Sequence, residues 1–264
     1  MQVLLPLVVS LFLHSASAQY TIRTVAGGGP PNNTPALQVA IGNLESIAVS
    51  PAGEQYIVDT QRHRVFKVSA NGQLSTFAGI GEAGISGDGG PATSAALSLP
   101  LGLALDSGGN LYIADSANYR VRKVTPNGVI TTFAGNGQPR FLGDGGPPTA
   151  ASINYPTVLA LDSAGNLYIA ESGPRIRKVF PSGLITTVAG NGFSGYSGDG
   201  GPAIAASLSD IGGLAVHPSG DLYISDTGNH RIRRVTPAGQ IDTVAGTGSP
   251  GFSGDGGPAL AAAL

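Results

Sequence analysis

Apolar residues occur in this chain as short runs set between turn-forming clusters. Leu101 to Leu105 is one such run, Ser107-Gly108-Gly109-Asn110 breaks it, and Leu111-Tyr112-Ile113-Ala114 follows. Polar and apolar positions then alternate through Arg120-Val121-Arg122-Lys123-Val124-Thr125, and Pro126-Asn127-Gly128 turns the chain into Val129 to Gly135. Brief apolar runs bounded by Gly, Pro, Asn and Ser are strand signals, and alternation marks a strand with one face in water. The pattern predicts four antiparallel strands over 100–135, and the same order recurs at 44–79, 157–190 and 212–246.

The phrase Thr-(Val/Phe)-Ala-Gly closes each of these units, at Thr76, Thr132, Thr187 and Thr243, with a further copy at Thr24. A fixed long period marks a repeat architecture. Sheets this small cannot bury their own faces, and stacking them radially as a β-propeller solves that problem. Between units lies a second repeated block, Gly87-Asp88-Gly89-Gly90-Pro91-Ala92 followed by Thr93 to Leu97, with counterparts beginning at Gly143, Gly198 and Gly254. Proline at the first helical position followed by alanines predicts one or two helical turns there. Alternating strand direction places this block on one face of the disc, together with the turn between the second and third strands. The expected fold is therefore all-β, a propeller of four-stranded antiparallel blades with short helical turns between them.

Five Thr-(Val/Phe)-Ala-Gly copies accompany only four complete sheets. Ile22 to Gly27 is a lone outer strand, and 247–264 begins another inter-blade block without the strands that should follow it. The expectation is an open ring cut from a longer reading frame, prone to self-association through unpaired edge strands.

Composition narrows the function classes. Glycine (41) and proline (19) sit at fixed places in the repeat, so they read as turns rather than disorder. Charged residues make up 11% against about 25% in ordinary soluble domains, and the net charge of −2 gives no basic face for nucleic acid. Met1 to Ala18 carries an apolar run from Val3 to Leu13 and ends in Ala16-Ser17-Ala18. That is the pattern of an export signal at 1–18 cleaved before Gln19, although no Lys or Arg precedes the run. The run is too short to span a bilayer as a helix of about 20 residues, so a secreted, periplasmic or cell-surface chain is expected, with no membrane span after cleavage. The absence of cysteine is compatible with export.

Gly228-Asn229-His230-Arg231-Ile232 after Leu222 to Asp226, and Ala117-Asn118-Tyr119-Arg120-Val121 as a close copy, resemble the signature of NHL repeats, a propeller family. The glycine-rich block is similar to that of long-repeat NHL domains of exported bacterial proteins and of the teneurins. Gln61-Arg62-His63-Arg64 departs by placing Arg where Asn is expected, and Glu171-Ser172-Gly173-Pro174-Arg175 is one residue short with Glu for Asp. The resemblance implies a propeller, often six-bladed, but a scaffold hosts many functions.

Single motifs must be weighed against the repeat. Gly79-Ile80-Gly81-Glu82-Ala83-Gly84 satisfies the dinucleotide fingerprint, but the same pattern recurs at Gly190 and Gly246 as loop grammar, and no helix is expected to receive a pyrophosphate. Asp88, Asp144, Asp199 and Asp255 occur once per block between glycines. They suggest a calcium site, yet one carboxylate per loop favours an aspartate that holds its own turn by accepting backbone N–H groups. Asp59, Asp115, Glu171 and Asp226 end the second strands, while Arg64, Arg120, Arg175 and Arg231 open the third. That pairing predicts one ion pair or brace per blade rather than a catalytic carboxylate pair, and Glu171 is the unit that breaks the symmetry.

His63, His217 and His230 are too scattered to predict a zinc centre. No cysteine and no isolated Gly-x-Ser-x-Gly elbow offers a nucleophile. No catalytic residue, metal or cofactor is assigned. Tyr56, Tyr112, Tyr168 and Tyr223 recur within the second strands as packing residues. Tyr119, Phe141, Phe193, Tyr196 and Phe252 lie in or near the loops, where with Glu171 they form the candidate binding surface on the inter-blade face; capping of blade edges is the competing role. The expected function is an exported interaction scaffold for a protein or small extracellular ligand. A metal-dependent hydrolase or lyase of the lactonase-like or amidating-lyase-like propellers is the alternative.

Overall fold

The runs predicted within 44–246 form their strands. The computed structural model describes residues 34–39 and 41–264, so the export signal and the Thr24 copy lie outside the described residues. The first sheet comprises Leu44–Val49, Gln55–Asp59, Arg64–Val68 and Gln73–Ala78. The second comprises Pro100–Leu105, Leu111–Asp115, Arg120–Val124 and Ile130–Ala134. The third is Pro156–Leu161, Leu167–Glu171, Arg175–Val179 and Ile185–Ala189, and the fourth Ile211–Val216, Leu222–Asp226, Arg231–Val235 and Gln240–Ala245. All four are antiparallel meanders in chain order.

The Thr-(Val/Phe)-Ala-Gly phrase marks a β-bulge. In the second sheet Ala134 opposes Val121 and Thr132 opposes Arg122, which leaves Phe133 as the extra residue; the other three sheets slip at the same place. A bulge bends its strand and turns side chains to new directions. Phe133 thereby stacks edge-on against Tyr112 with ring centroids 4.8 Å apart, as Phe77 does against Tyr56. The tyrosine hydroxyls find carboxylate partners in Glu54, Asp106 and Asp162. Burial beside Asp106 pushes the Tyr112 hydroxyl up to about 12.

The inter-blade block does not stay on one face. Gly89 and Ala92 donate to the carbonyls of Ile130 and Gly128, so the block runs down the outer edge of the sheet that follows it. Thr34–Pro35 and Gly201–Pro202 form two-residue fifth strands on the first and fourth sheets in the same way. The block then folds inward as a wedge. Ala92, Ala95 and Leu97 are buried between Tyr56, Val58 and Val65 of the first sheet and Ile113, Val124 and Ile130 of the second. Its helical turns are single 3-10 turns at Ala36–Gln38, Ala92–Ser94, Ala203–Ala205 and Ala259–Ala261, with Pro35, Pro91, Pro202 and Pro258 just before them rather than at their first position. The Pro147-Pro148 block makes a plain turn.

The inner strands adjoin in sequence order as an arc, and among the described residues no comparable contact joins the fourth inner strand back to the first. Of the expected open edges, the blocks occupy the outer ones, while the inner strand that ends the first sheet exposes the side chains of Ile47 and Val49.

Gly135 shows why the phrase ends in glycine. Its φ is 93°, and a Cβ there would sit 2.4 Å from the Tyr119 carbonyl oxygen. Gly128 has a φ of 78° with nothing within 4 Å of the same position. Gly128→Ala is expected to cost about 1–2 kcal/mol from left-handed strain alone. Gly135→Ala should cost at least about 1 kcal/mol more, because rigid backbone must move; urea unfolding of the two variants checks the difference.

Candidate functional site

In each sheet one position of the third strand lies two residues after the arginine that opens it. In three sheets this is an arginine, Arg122, Arg177 or Arg233, with side chains 1%, 0% and 0% exposed. An uncompensated buried charge is very costly, so each must be paired. Arg122 Nη2 lies 2.6 Å from Asp88 Oδ1 of the block, and its Nη1 lies 3.3 Å from Asp115 Oδ2 at the end of the second strand. Arg233 joins Asp199 and Asp226 at 2.6 and 3.2 Å. Arg177 joins Asp144 and Glu171 at 2.6 and 3.3 Å; its contact with Asp144 is off the hydrogen-bonding direction and acts as an ion contact.

This arrangement decides for a brace over an ion pair at the arginines that open the third strands, and it corrects the role expected of the block aspartates. Arg64, Arg120, Arg175 and Arg231 do not pair with the acids that precede them; they donate to the carbonyls of Ile80, Asn136, Asn191 and Thr247 and pin the loop leaving their own sheet. Asp88, Asp144 and Asp199 do not hold turns through backbone N–H groups. Their second oxygens accept from Thr132, Thr187 and Tyr196, so both carboxylate oxygens are engaged by side chains. Burial would raise Asp88 and Asp199, but hydrogen bonds and the arginine charge outweigh it and hold both below the usual carboxylate range. Asp255 is exposed. The arginine sits in a position that strand alternation assigns to solvent, which hid it. The signal that could have found it is co-occurrence: the first sheet has Phe66 there, and the matching block position is Asn32 instead of Asp. Its Asp59 pairs with Arg62 at 3.1 Å instead.

The acid ending the second strand also accepts an N–H from the segment leading into its own sheet: Gly42 for Asp59, Ser98 for Asp115, Asn154 for Glu171 and Ser209 for Asp226. Asn118 and Asn229 add a second brace, linking Asp115 and Asp226 to the carbonyls of Gly84 and Gly195. Desolvation outweighs these bonds at Asp115 and raises it. The shortened hairpin of the third sheet has no such asparagine, and the longer Glu171 spans the distance. Burial there outweighs the Asn154 N–H and Arg177 and pushes Glu171 up to about 7.

The candidate aromatic surface divides. Phe141 lies over Arg175 and Arg177 at 3.8 and 4.6 Å, and Tyr196 over Arg231 and Arg233 at 3.8 and 4.8 Å, so these two rings cap arginines. Tyr119 stacks edge-on against Tyr155 at 6.4 Å. Phe193 and Phe252 project, 75% and 90% exposed. Glu171 is buried. His63 accepts the Leu99 N–H and His217 meets Ser219, and among the described residues no group of three His, Cys, Asp or Glu could hold a metal ion. The Gly79 to Gly84 stretch is a loop closed on Ala92, Ala95 and Leu97, with no helix opening from it.

Irregularity concentrates at the junction of the third and fourth sheets. Thr60 Oγ1 donates to Pro100 O across the first junction at 2.7 Å, and Ser116 Oγ to Pro156 O across the second at 2.6 Å. Their counterpart Ser172 turns back toward Asn154 O in its own sheet at 3.5 Å. The facing pairs His63–Leu99 and Tyr119–Tyr155 fill the earlier junctions. Pro174 and Asp210 occupy these places at the third and leave a cleft of about 370 Å³, into which Glu171, Ser172, Ser194 and Ser209 also face.

Comparison with known proteins places this geometry. The Teneurin NHL domain family matches residues 81–142, and the NHL repeat family matches 208–235. Teneurin-1 of Gallus gallus is 31% identical over 258 residues, covering 83% of this chain and 9% of that protein. Teneurin-4 of Mus musculus is 30% identical over 236 residues, covering 77% and 8%. The chain thus spans under a tenth of the length of these relatives. Among solved structures, one from a nidogen/laminin complex aligns with TM-score 0.57 at 19% identity, over 80% of this chain and 67% of that one. A virginiamycin B lyase from Staphylococcus aureus aligns with TM-score 0.51 at 16% identity, over 76% and 55%. At these identities the two structures show the propeller fold.

Two outcomes are expected. Arg122→Phe, which copies the first sheet, should cost about 3–5 kcal/mol by leaving Asp115 buried without its cation. Adding Asn118→Arg, which supplies the cation that Arg62 gives Asp59, should restore at least about 1 kcal/mol of that in urea unfolding. Glu171 binds its proton more tightly folded than unfolded, where its ordinary value is 4.5. Its contribution to stability is therefore full below pH 4.5 and falls as pH rises to about 7. Glu171→Gln should abolish that decline, a slope of at most about 1.4 kcal/mol per pH unit, measured as the difference between the two proteins across the window.

Proposed function

This chain is built of NHL repeats, and from that premise we propose that it is an exported interaction scaffold whose inter-blade loops contact a partner protein. The observation that carries the reading is where apolar surface is left in water. Leu142, Phe193, Ile204 and Leu260 project in or just before the glycine-rich blocks, each at least 58% exposed. Exposed apolar side chains gathered on one structural element mark contact surfaces, and aromatic rings dominate the energy of such contacts. The repeated charged groups, by contrast, are committed to holding blocks against sheets. A row of similar projections at successive blocks favours multivalent contact over a single reactive centre. Export is supported by the Ala16-Ser17-Ala18 pattern after an apolar run.

The test uses the exported product, expected by mass spectrometry to begin at Gln19, immobilised against a panel of extracellular proteins. Capture at micromolar affinity or better is expected, with Phe193→Asp and Ile204→Asp each weakening it by roughly tenfold or more while the melting temperature holds. A stoichiometric, tightly held zinc or calcium ion accompanied by turnover of a lactone would overturn the scaffold reading in favour of a metal-dependent propeller enzyme.

A further inference from the structure

The cleft between the third and fourth sheets departs from the repeat in three ways at once. Its hairpin is one residue short, so the asparagine that closes the hairpin in the second and fourth sheets is missing. The hydroxyl bridge across the junction is replaced by the inward turn of Ser172. The two residues that meet at the earlier junctions are here Pro174 and Asp210, which line an opening of about 370 Å³. A volume of that order suits a small ligand or one inserted side chain. The first two junctions are filled at this position by His63 with Leu99 and Tyr119 with Tyr155, so an opening here is a local departure from the repeat.

The lining sets the chemistry of the occupant. Asp210 is exposed and holds a φ of 54°, while its backbone carbonyl accepts from Thr227. Its neighbour Ser209 pairs with Ser194 at 2.9 Å, so two hydroxyls are fixed side by side and each retains an oxygen lone pair. The Glu171 carboxyl closes the floor. The nearest guanidinium groups are held elsewhere: Arg177 lies between Glu171 and Asp144, and Arg175 donates to Asn191 O under the Phe141 ring. No lysine or arginine lines the cleft. Oxygen acceptors thus surround a space with negative charge at its mouth and apolar walls at Pro174 and Ile211. That combination fits an alkyl chain ending in an ammonium group, whose methylenes pack on apolar surface while its three donors meet oxygens.

We propose that this cleft binds a protonated primary amine, specifically a lysine side chain presented by the partner protein. The proposal rests on the scaffold reading for the identity of the partner, and it adds a specificity pocket beside the projecting Phe193. The repeat supplies several similar loops, whereas this cleft occurs where the repeat breaks, so it would fix which block a partner engages. Asp210 is the residue that selects charge, and the Ser194–Ser209 pair and Ser172 complete the oxygen ring.

The test is an NMR titration of the full chain with Nα-acetyl-lysine methylamide, alongside its neutral Nε-acetylated form. Saturable shifts at residues 172–174, 194 and 209–211 are expected for the charged probe, at roughly millimolar Kd for so small a ligand, and none for the neutral one. Asp210→Asn should weaken binding by roughly tenfold or more without altering the fold, because asparagine adopts left-handed backbone as readily as aspartate. Pro174→Tyr, which restores the bulk found at the second junction, should abolish it. Equal binding of the acetylated probe, undiminished binding by Asp210→Asn, or no saturable shift with the charged probe would each overturn the proposal. Because the titration reads the cleft alone and Phe193→Asp reads the loops alone, loss of one without the other tells which reading has failed.

Discussion

Sheets of four short strands can be stacked only if something holds each to the next, and here the holding group is a buried guanidinium. Each of Arg122, Arg177 and Arg233 reaches a carboxylate in its own sheet and another in the block that wraps it. Such a buried ion pair adds little net stability against a well-packed apolar substitute. Its value is geometric: a planar fork between two carboxylates fixes the block in one place. The apolar wedge of Ala92, Ala95 and Leu97 then packs without ambiguity. The first sheet shows the apolar solution to the same problem, with Phe66 buried among Ala36, Val39 and Leu74.

Strand order, strand bounds and repeat number were legible because short apolar runs and turn residues act locally. The phrase Thr-(Val/Phe)-Ala-Gly was legible as punctuation but not as mechanism. Its threonine is a ligand of the block aspartate, its apolar residue is a bulge, and its glycine avoids a carbonyl. None of these follows from spacing alone, because all three partners are distant in sequence. Arg122 was obscured for a different reason. Alternation says only that a side chain lies on one face of a sheet, and in a stack both faces are interior.

Candidate site residues divided along the same line. Residues that recur, such as Phe141 and Tyr196, cover the arginines of the following sheet; Phe252 holds the same place in a block that no described sheet follows, and Phe193, which has no such place, projects. Glu171 was visible as an exception in the sequence, and the structure explains it as a longer acid spanning a shortened hairpin. Asp210 and Pro174 were not singled out as a pair, since their meeting depends on how two sheets abut.

Because the carboxylates of three blocks clamp arginines of the sheet that follows, a block and the sheet after it form one electrostatic module. A duplication that copied 87–134 as a piece would carry its own arginine, both of its carboxylates and its threonine. Because Asp88, Asp144 and Asp199 make the same contact, an array lengthened or shortened by whole periods keeps every such arginine between two carboxylates, whereas a break within a period leaves a buried charge without its partner.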